Sequence, residues 1–215
     1  MNFVELFSGS GTVTEEFKSR GHKTFSVDIR RRKGICEPDL KMDIMKLTPA
    51  DIPFEKVHVI WASPPCNCWS NAAGSLHWKG QMPMTTKCVN HLRMLKKCLV
   101  VIEKLSPDYF FLENPRGRMR YLKIMTDWLI KNNAMIKQLT MSSYGFPSTK
   151  PTDIFTNALD IKFKHMDPYG RGANCKIDLR SKTKCQRQKT PHLLAECIRE
   201  YCEGKILNGE RGHFL

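Results

Sequence analysis

The sequence predicts an α/β fold: a mostly parallel sheet with helices on both faces and a small basic insertion towards the C-terminal end. Three observations carry this. Short apolar, β-rich runs alternate with stretches of helical periodicity through the first 157 residues, the pattern of successive βα units. The first run breaks into Ser8-Gly9-Ser10-Gly11 and passes at once into a helical pattern, as a strand does when its chain turns back over a sheet. Beyond Asn157 both patterns stop, and residues 158–189 carry nine Lys or Arg against three Asp.

The elements follow in order. Residues 2–7 form an apolar strand. Residues 12–20 form a helix, with Val13 and Phe17 four apart on one face and Gly21 as its stop. A second short strand spans 24–29 and a third 40–44. Residues 57–62 are a buried-type strand ended by Ser63-Pro64-Pro65. A polar stretch containing Gly74 and Gly80 leads into a long helix over 85–105. A buried strand at 109–112, an amphipathic helix at 119–131 and a strand at 135–141 come next, and 153–156 closes the sheet. Pro168, Gly170 and Gly172 mark 158–189 as loop-rich, and helical signal returns only at 191–203, where Leu194, Ile198 and Tyr201 share a face. The chain therefore divides into a core of 1–157, a small basic region of 158–190 and a returning helix and tail of 191–215.

Composition narrows the function. The chain has 215 residues, with 35 Lys and Arg against 21 acidic residues, a net charge of +14 and a pI near 9.5. Such a surplus favours a polyanionic partner, and nucleic acid leads because phosphate contacts supply salt-dependent affinity. No apolar run approaches the roughly 18 residues of a membrane span. The nine cysteines are odd in number and irregularly spaced. With no export signal, that suits reduced thiols in a cytoplasmic protein, not a secreted one.

The chemistry-bearing motifs sit at strand ends. In Phe7-Ser8-Gly9-Ser10-Gly11 the glycines let backbone approach a ligand, and the helix N-terminus presents free N–H groups. Asp28 ends the second strand, where an acid accepts hydrogen bonds from ribose hydroxyls. Position 14 is Thr, so the dinucleotide fingerprint is incomplete, which points to a nucleoside-bearing cofactor other than NAD. Cys66, after two prolines at a carboxyl edge, is placed as a nucleophile for an electron-poor ring carbon; a buried structural thiol is the plainer alternative. Cys68, Cys88 and Cys98 read as such buried thiols. Glu113, after the apolar strand 109–112, is expected to have a raised pKa and to donate a proton to a ring nitrogen; a salt bridge to Arg116, Arg118 or Arg120 is its alternative. His165, Cys175, Cys185 and His192 have no C-x-x-C spacing, and we expect no metal.

In the order F-x-G-x-G, Asp28, Asp43, Pro-Pro-Cys, Glu-Asn-Pro, the chain resembles the cytosine-5 DNA methyltransferase family over roughly residues 2–157, at the length of its small phage or virus members. The resemblance implies a Rossmann-like, S-adenosylmethionine-dependent methyltransferase. It places Phe7, Gly9, Ser10 and Gly11 in the cofactor pocket, Asp28 on the ribose, Ile29 on the adenine, Asp43 on the adenine amino group with Ile44 beside it, and Pro65 before the nucleophile. Cys66 matches the nucleophile, and Glu113 and Asn114 the base-binding pair. The family's Glu-Asn-Val is Glu113-Asn114-Pro115 here, and its Q-x-R-x-R motif aligns with Ser148, Lys150 and Thr152, so Lys150 is the one cation kept. The terminal G-N-S/A-V motif is not visible after Pro191.

The implied reaction flips a cytosine from a DNA duplex, adds Cys66 to it and methylates carbon 5, with residues 67–84 as a lid and a monomer as the working form. The same chemistry on RNA (tRNA), a catalytically silent nucleic-acid-binding protein of this fold, and transfer of a modified methyl group are the rival readings. Intact Cys66 and Glu113 weigh against silence, and the altered basic motif and absent terminal motif weigh for it.

Overall fold

The computed structural model describes residues 1–30, 37–70, 75–164, 189–210 and 212. Its elements are β1 (Asn2–Leu6), α1 (Thr12–Ser19), β2 (Lys23–Asp28), β3 (Leu40–Lys41), β4 (Val59–Ala62), the small hairpin of β5 (Trp78–Lys79) and β6 (Met82–Pro83), α2 (Thr86–Leu105), β7 (Tyr109–Pro115), α3 (Lys123–Lys131), β8 (Met135–Thr140), β9 (Pro151–Thr156) and α4 (His192–Leu207). Seven strands form one sheet in the order β3-β2-β1-β4-β7-β9-β8. The first five pair in parallel, and β9 runs antiparallel between β7 and β8. The sheet is therefore mixed. Its last strand in sequence does not lie at the edge; β8 does.

Alternation along the central strands builds two cores. Val4, Leu6, Ile60, Ala62, Phe110 and Leu112 face α2 and α3 on one side. Phe3, Val59, Trp61, Tyr109 and Phe111 face α1 and α4 on the other. Both faces are covered, so these strands read as continuous apolar runs rather than alternating ones. Phe3 stacks on Phe17 of α1 with centroids 4.1 Å apart, and Phe110 meets Trp128 of α3 edge-on at 4.8 Å, contacts of about 1 kcal/mol each beyond their burial.

The returning helix is fastened by charge as well as packing. Arg199 of α4 donates to the buried Glu16 of α1 at 2.7 Å, and His192 Nε2 lies 2.8 Å from the other Glu16 oxygen. Removing one partner of such a buried pair costs about 3–5 kcal/mol, so α4 is held firmly against α1.

Three elements differ from the sequence expectation for local reasons. The third strand stops at Lys41 because Asp43 turns the chain, accepting from Met45 N through its side chain at 3.0 Å and from Lys46 N through its carbonyl at 2.9 Å. The helix expected at 119–131 is split: Arg118–Tyr121 is a single 3₁₀ turn, and extended Leu122 precedes α3. The strand expected to end at Leu112 continues through Glu113, Asn114 and Pro115, which pair with Ile154, Asp153 and Thr152 of β9. No helix among the described residues is long and apolar enough to cross a membrane.

Candidate active site

The sheet order reverses at β1 and β4. The chain leaves β1 towards α1 on one face and leaves β4 towards α2 on the other, which opens a crevice beyond their carboxyl ends. A cavity of about 400 Å³ lies there, within the size range of small-molecule sites.

Its first wall is the β1–α1 turn. Phe7, Gly9 and Gly11 all adopt left-handed backbone, with φ of 58°, 54° and 68°. Glycine does this freely, whereas Phe7 is strained, as residues at binding sites often are. The turn is tied to β2 by Ser8 N donating to Val27 O at 3.1 Å and Gly9 N donating to Asp28 Oδ2 at 2.9 Å. The other Asp28 oxygen accepts from Arg30 N at 2.8 Å. Asp28 thus holds the loop in shape, and its carboxylate lines the cavity with Ile29 and Arg30.

The second wall is the Ser63–Asn67 segment. Cys66 is half-buried; its carbonyl accepts from Trp69 N at 3.0 Å and Ser70 N at 3.1 Å, which curls the following residues into one tight turn. Asn114, fully buried, donates to the Pro64 carbonyl at 3.0 Å, while its Oδ1 has no hydrogen-bond partner. Asn114 therefore fixes the backbone before Cys66 and does not line the cavity. Burial pushes the thiols of Cys88 and Cys98 up to about 12 and raises Cys68, Cys197 and Cys202 as well. Such thiols are unreactive. Among the described cysteines, Cys66 alone lines the cavity.

The third wall is β7. Strand β4 ends at Ala62, opposite Leu112, so Glu113 projects past its neighbour into the crevice. Lys150 Nζ donates to Glu113 Oε1 at 3.3 Å, and Lys150 itself has strained backbone with φ of 25°. Glu113 is thus ion-paired, and not surrounded only by apolar groups as the sequence suggests.

Of the anticipated site residues, Phe7, Gly9, Ser10, Asp28, Ile29, Pro65, Cys66, Glu113 and Lys150 meet at this one cavity. Gly11, Asp43, Ile44 and Asn114 do not line it. Gly11 caps α1, and Ile44, just after the Asp43 turn, packs into the core on the α2 and α3 side of the sheet. Of the four residues weighed as metal ligands, only His192 is described, bound to Glu16; the other three lie outside the described residues, as do residues 165–188 of the basic stretch and 71–74 of the expected lid. Among the described residues no group of three or more His, Cys, Asp or Glu could hold a metal.

Glu5, His91, Met94 and Thr190 also line the cavity and were not anticipated. Glu5 is buried near the carboxyl end of β1 and accepts from Thr14 N at 2.8 Å and Thr14 Oγ1 at 2.5 Å. Desolvation nonetheless pushes its carboxyl up to about 7. His91 and Met94 stand three apart on α2, a spacing that shares a face. Thr190, just before α4, carries no signal in the sequence. The Asp28 carboxylate beside an open glycine loop fits a nucleoside carrying hydroxyl donors.

Comparison with known proteins gives the family. Residues 1–126 match the family model for C-5 cytosine-specific DNA methylase. A Frog virus 3 (isolate Goorha) protein named "Probable DNA (cytosine-5)-methyltransferase" is 30% identical over 137 residues, 60% of this chain and 59% of the viral one. Among solved structures, a Spodoptera frugiperda DNMT2 mutant aligns with a TM-score of 0.50 at 23% identity, covering 77% of this chain and 53% of its own. The Entamoeba histolytica methyltransferase EhMeth aligns with a TM-score of 0.53 at 19% identity, covering 73% and 52%. The chain spans 59% of the viral relative's length and about half of each solved structure. The matched span holds the glycine turn, Asp28, the Pro-Pro-Cys turn and Glu113, which the fold gathers at one crevice, and the chain belongs to the C-5 cytosine-specific DNA methylase family.

Proposed function

We propose that the protein transfers a methyl group from S-adenosylmethionine to carbon 5 of cytosine in DNA, through a covalent adduct with Cys66. The observation that carries this reading is the cavity that gathers the Cys66 thiol, the Glu113–Lys150 pair and the Gly9–Asp28 cradle. S-Adenosylmethionine, when bound, supplies an electrophilic methyl group. Phe7, Gly9, Ser10, Asp28 and Ile29 would hold it, and Asp28 would accept from the ribose hydroxyls beside the bonds it already accepts from Gly9 N and Arg30 N.

The cytosine must leave the duplex, because its ring face is inaccessible in the stack. Cys66 Sγ then forms a bond to ring carbon 6, and Glu113 delivers a proton to ring nitrogen 3, so that carbon 5 gains electron density. Lys150 orients the Glu113 carboxyl. Asn114 keeps the Pro64–Cys66 backbone in place through the Pro64 carbonyl. After methyl transfer a base takes the proton from carbon 5, the ring re-forms with expulsion of the Cys66 thiolate, and the nitrogen-3 proton returns to Glu113. Residues 1–157 with α4 form the catalytic unit, and the basic stretch 158–190 forms the target-recognition region.

The test is incubation with duplex DNA and with tRNA, each with cofactor tritiated in its methyl group, followed by nucleoside analysis. Label in 5-methylcytosine from DNA supports the proposal. Label only from tRNA moves the activity to RNA, and label from neither leaves a silent nucleic-acid-binding protein.

A further inference from the structure

We infer that Trp78 and Arg118 are positioning residues that clasp the Cys66 turn against the strand carrying Glu113. The inference rests on Cys66 as the nucleophile; neither residue lines the cavity.

The two reacting side chains come from different segments, and the sheet does not join them: β4 ends at Ala62, before Cys66. Beside the Asn114 bond to the Pro64 carbonyl, a set of contacts further out joins them. Arg118 N donates to the Trp69 carbonyl at 2.6 Å, and Ser70 and Gly117 form an isolated antiparallel bridge. The approach is close enough that a Cβ on Gly117 would lie 2.2 Å from the Trp69 oxygen. Trp69 in turn donates from its indole to the Pro65 carbonyl at 2.8 Å. The segment after Glu113 is thus bound, through Trp69, to the residue before Cys66.

The hairpin locks this joint from outside. Trp78 is buried, and its indole donates to the Cys68 carbonyl at 2.8 Å. Its ring lies 5.5 Å from that of Trp69, and the Arg118 guanidinium sits 5.3 Å over it while donating to the Gly80 carbonyl. One Arg side chain therefore touches β5 and the turn that follows it from the end of the Glu113 segment. The β5–β6 hairpin, expected as part of a lid, is docked in this structure and serves as a wedge behind the nucleophile. Guanidinium and indole suit this work: a planar cation stacks on a ring and donates sideways together, which an ammonium does not.

A misplacement of about 1 Å at a reacting atom costs roughly a hundredfold in rate, so loosening the clasp acts on bond formation and not on ligand affinity. Trp78→Phe keeps the ring and deletes the Cys68 bond. Arg118→Lys keeps the charge and deletes the stacked fork. Each is to be mixed with duplex DNA containing 5-fluorocytosine and S-adenosylmethionine, and the rate of denaturant-resistant adduct followed beside cofactor affinity, DNA affinity and melting temperature. Both variants should form adduct at least about tenfold more slowly than the parent, with cofactor and DNA affinities within about twofold. The inference is overturned if Trp78→Phe forms adduct at the parental rate, or if Arg118→Lys is parental while Arg118→Gln is slow, which makes Arg118 a charge for DNA. Absence of any adduct from the parent protein strikes at the nucleophile itself, a different outcome.

Discussion

Glu5→Gln isolates the energetic consequence of an acid buried at the cavity floor. The side chain is 3% exposed, and desolvation raises its carboxyl from the ordinary 4.5 to about 7 against the pull of two hydrogen bonds from Thr14, with Asp28 and Glu15 adding to the rise. Each tenfold change in proton affinity is about 1.4 kcal/mol, so this displacement corresponds to about 3 kcal/mol. The sign follows from where the proton sits. Below about pH 4.5 both folded and unfolded chains hold it, and burial of the neutral acid is tolerated. As pH rises the unfolded chain ionises first, so the parent loses stability until the folded carboxyl also ionises near 7. Glutamine keeps an oxygen for both Thr14 bonds and has no proton to lose. The melting temperature of Glu5→Gln should therefore match the parent near pH 4 and exceed it by about 6–12 °C at pH 8, at 2–4 °C per kcal/mol for a chain of this size. A difference that stays constant between pH 4 and 8 refutes the reasoning, because only titration of Glu5 makes it grow.

Other perturbations address other parts of the site. Asp28→Ala removes the acceptor of Gly9 N and Arg30 N and should weaken cofactor binding by roughly ten- to a hundredfold, about 1.5–3 kcal/mol, with DNA affinity unchanged; calorimetry giving parental cofactor affinity contradicts the cradle. Gly117→Ala places a Cβ 2.2 Å from the Trp69 oxygen and should cost about 1–3 kcal/mol of stability in denaturant titration; an unchanged midpoint means the contact yields freely. Replacing Lys182, Lys184, Arg187 and Lys189 by Gln should flatten the slope of log K against log salt on duplex DNA by up to about four, and an unchanged slope with normal methylation removes the stretch from the DNA surface.

Much of this site was legible because periodicity locates strand ends, and strand ends locate ligands in such sheets. Gly9, Asp28 and Cys66 were read this way, each from a motif just past an apolar run. Glu113 was found for a partly mistaken reason. Glu-Asn-Pro looks like a strand terminus because those residues are rare in strands, yet β9 pairs with all three, and it is the earlier end of β4 that exposes Glu113. The direction of Asn114 was hidden, since alternation does not say which polar side chain meets the Pro64 carbonyl. Glu5 interrupts an apolar strand, and only the two-residue period against Val4 and Leu6 hints that it shares a face with Phe3. His91 and Met94 were lost among the many apolar and basic positions of a long helix. Thr190 reaches the cavity only because Glu16 and Arg199 pin α4 beside α1, a pairing across most of the chain that no local pattern announces. The Arg116–Arg120 run, weighed as salt-bridge partners of Glu113, is engaged elsewhere: Arg120 grips Asp153 with two bonds, Arg116 donates to Gln138, and Arg118 holds the hairpin.

The claim that everything else depends on is the covalent bond from Cys66. The direct measurement is the intact mass of the protein under denaturing conditions after incubation with S-adenosylmethionine and duplex DNA carrying 5-fluorocytosine at methylated positions. Fluorine at carbon 5 cannot leave as a proton does, so the adduct is not released. The parent protein should gain the mass of the oligonucleotide plus one methyl group, and Cys66→Ser should gain nothing while still binding cofactor and DNA. Methylation of cytosine by the parent with no mass gained on the fluorinated duplex, or undiminished turnover by Cys66→Ser, contradicts the assignment of Cys66.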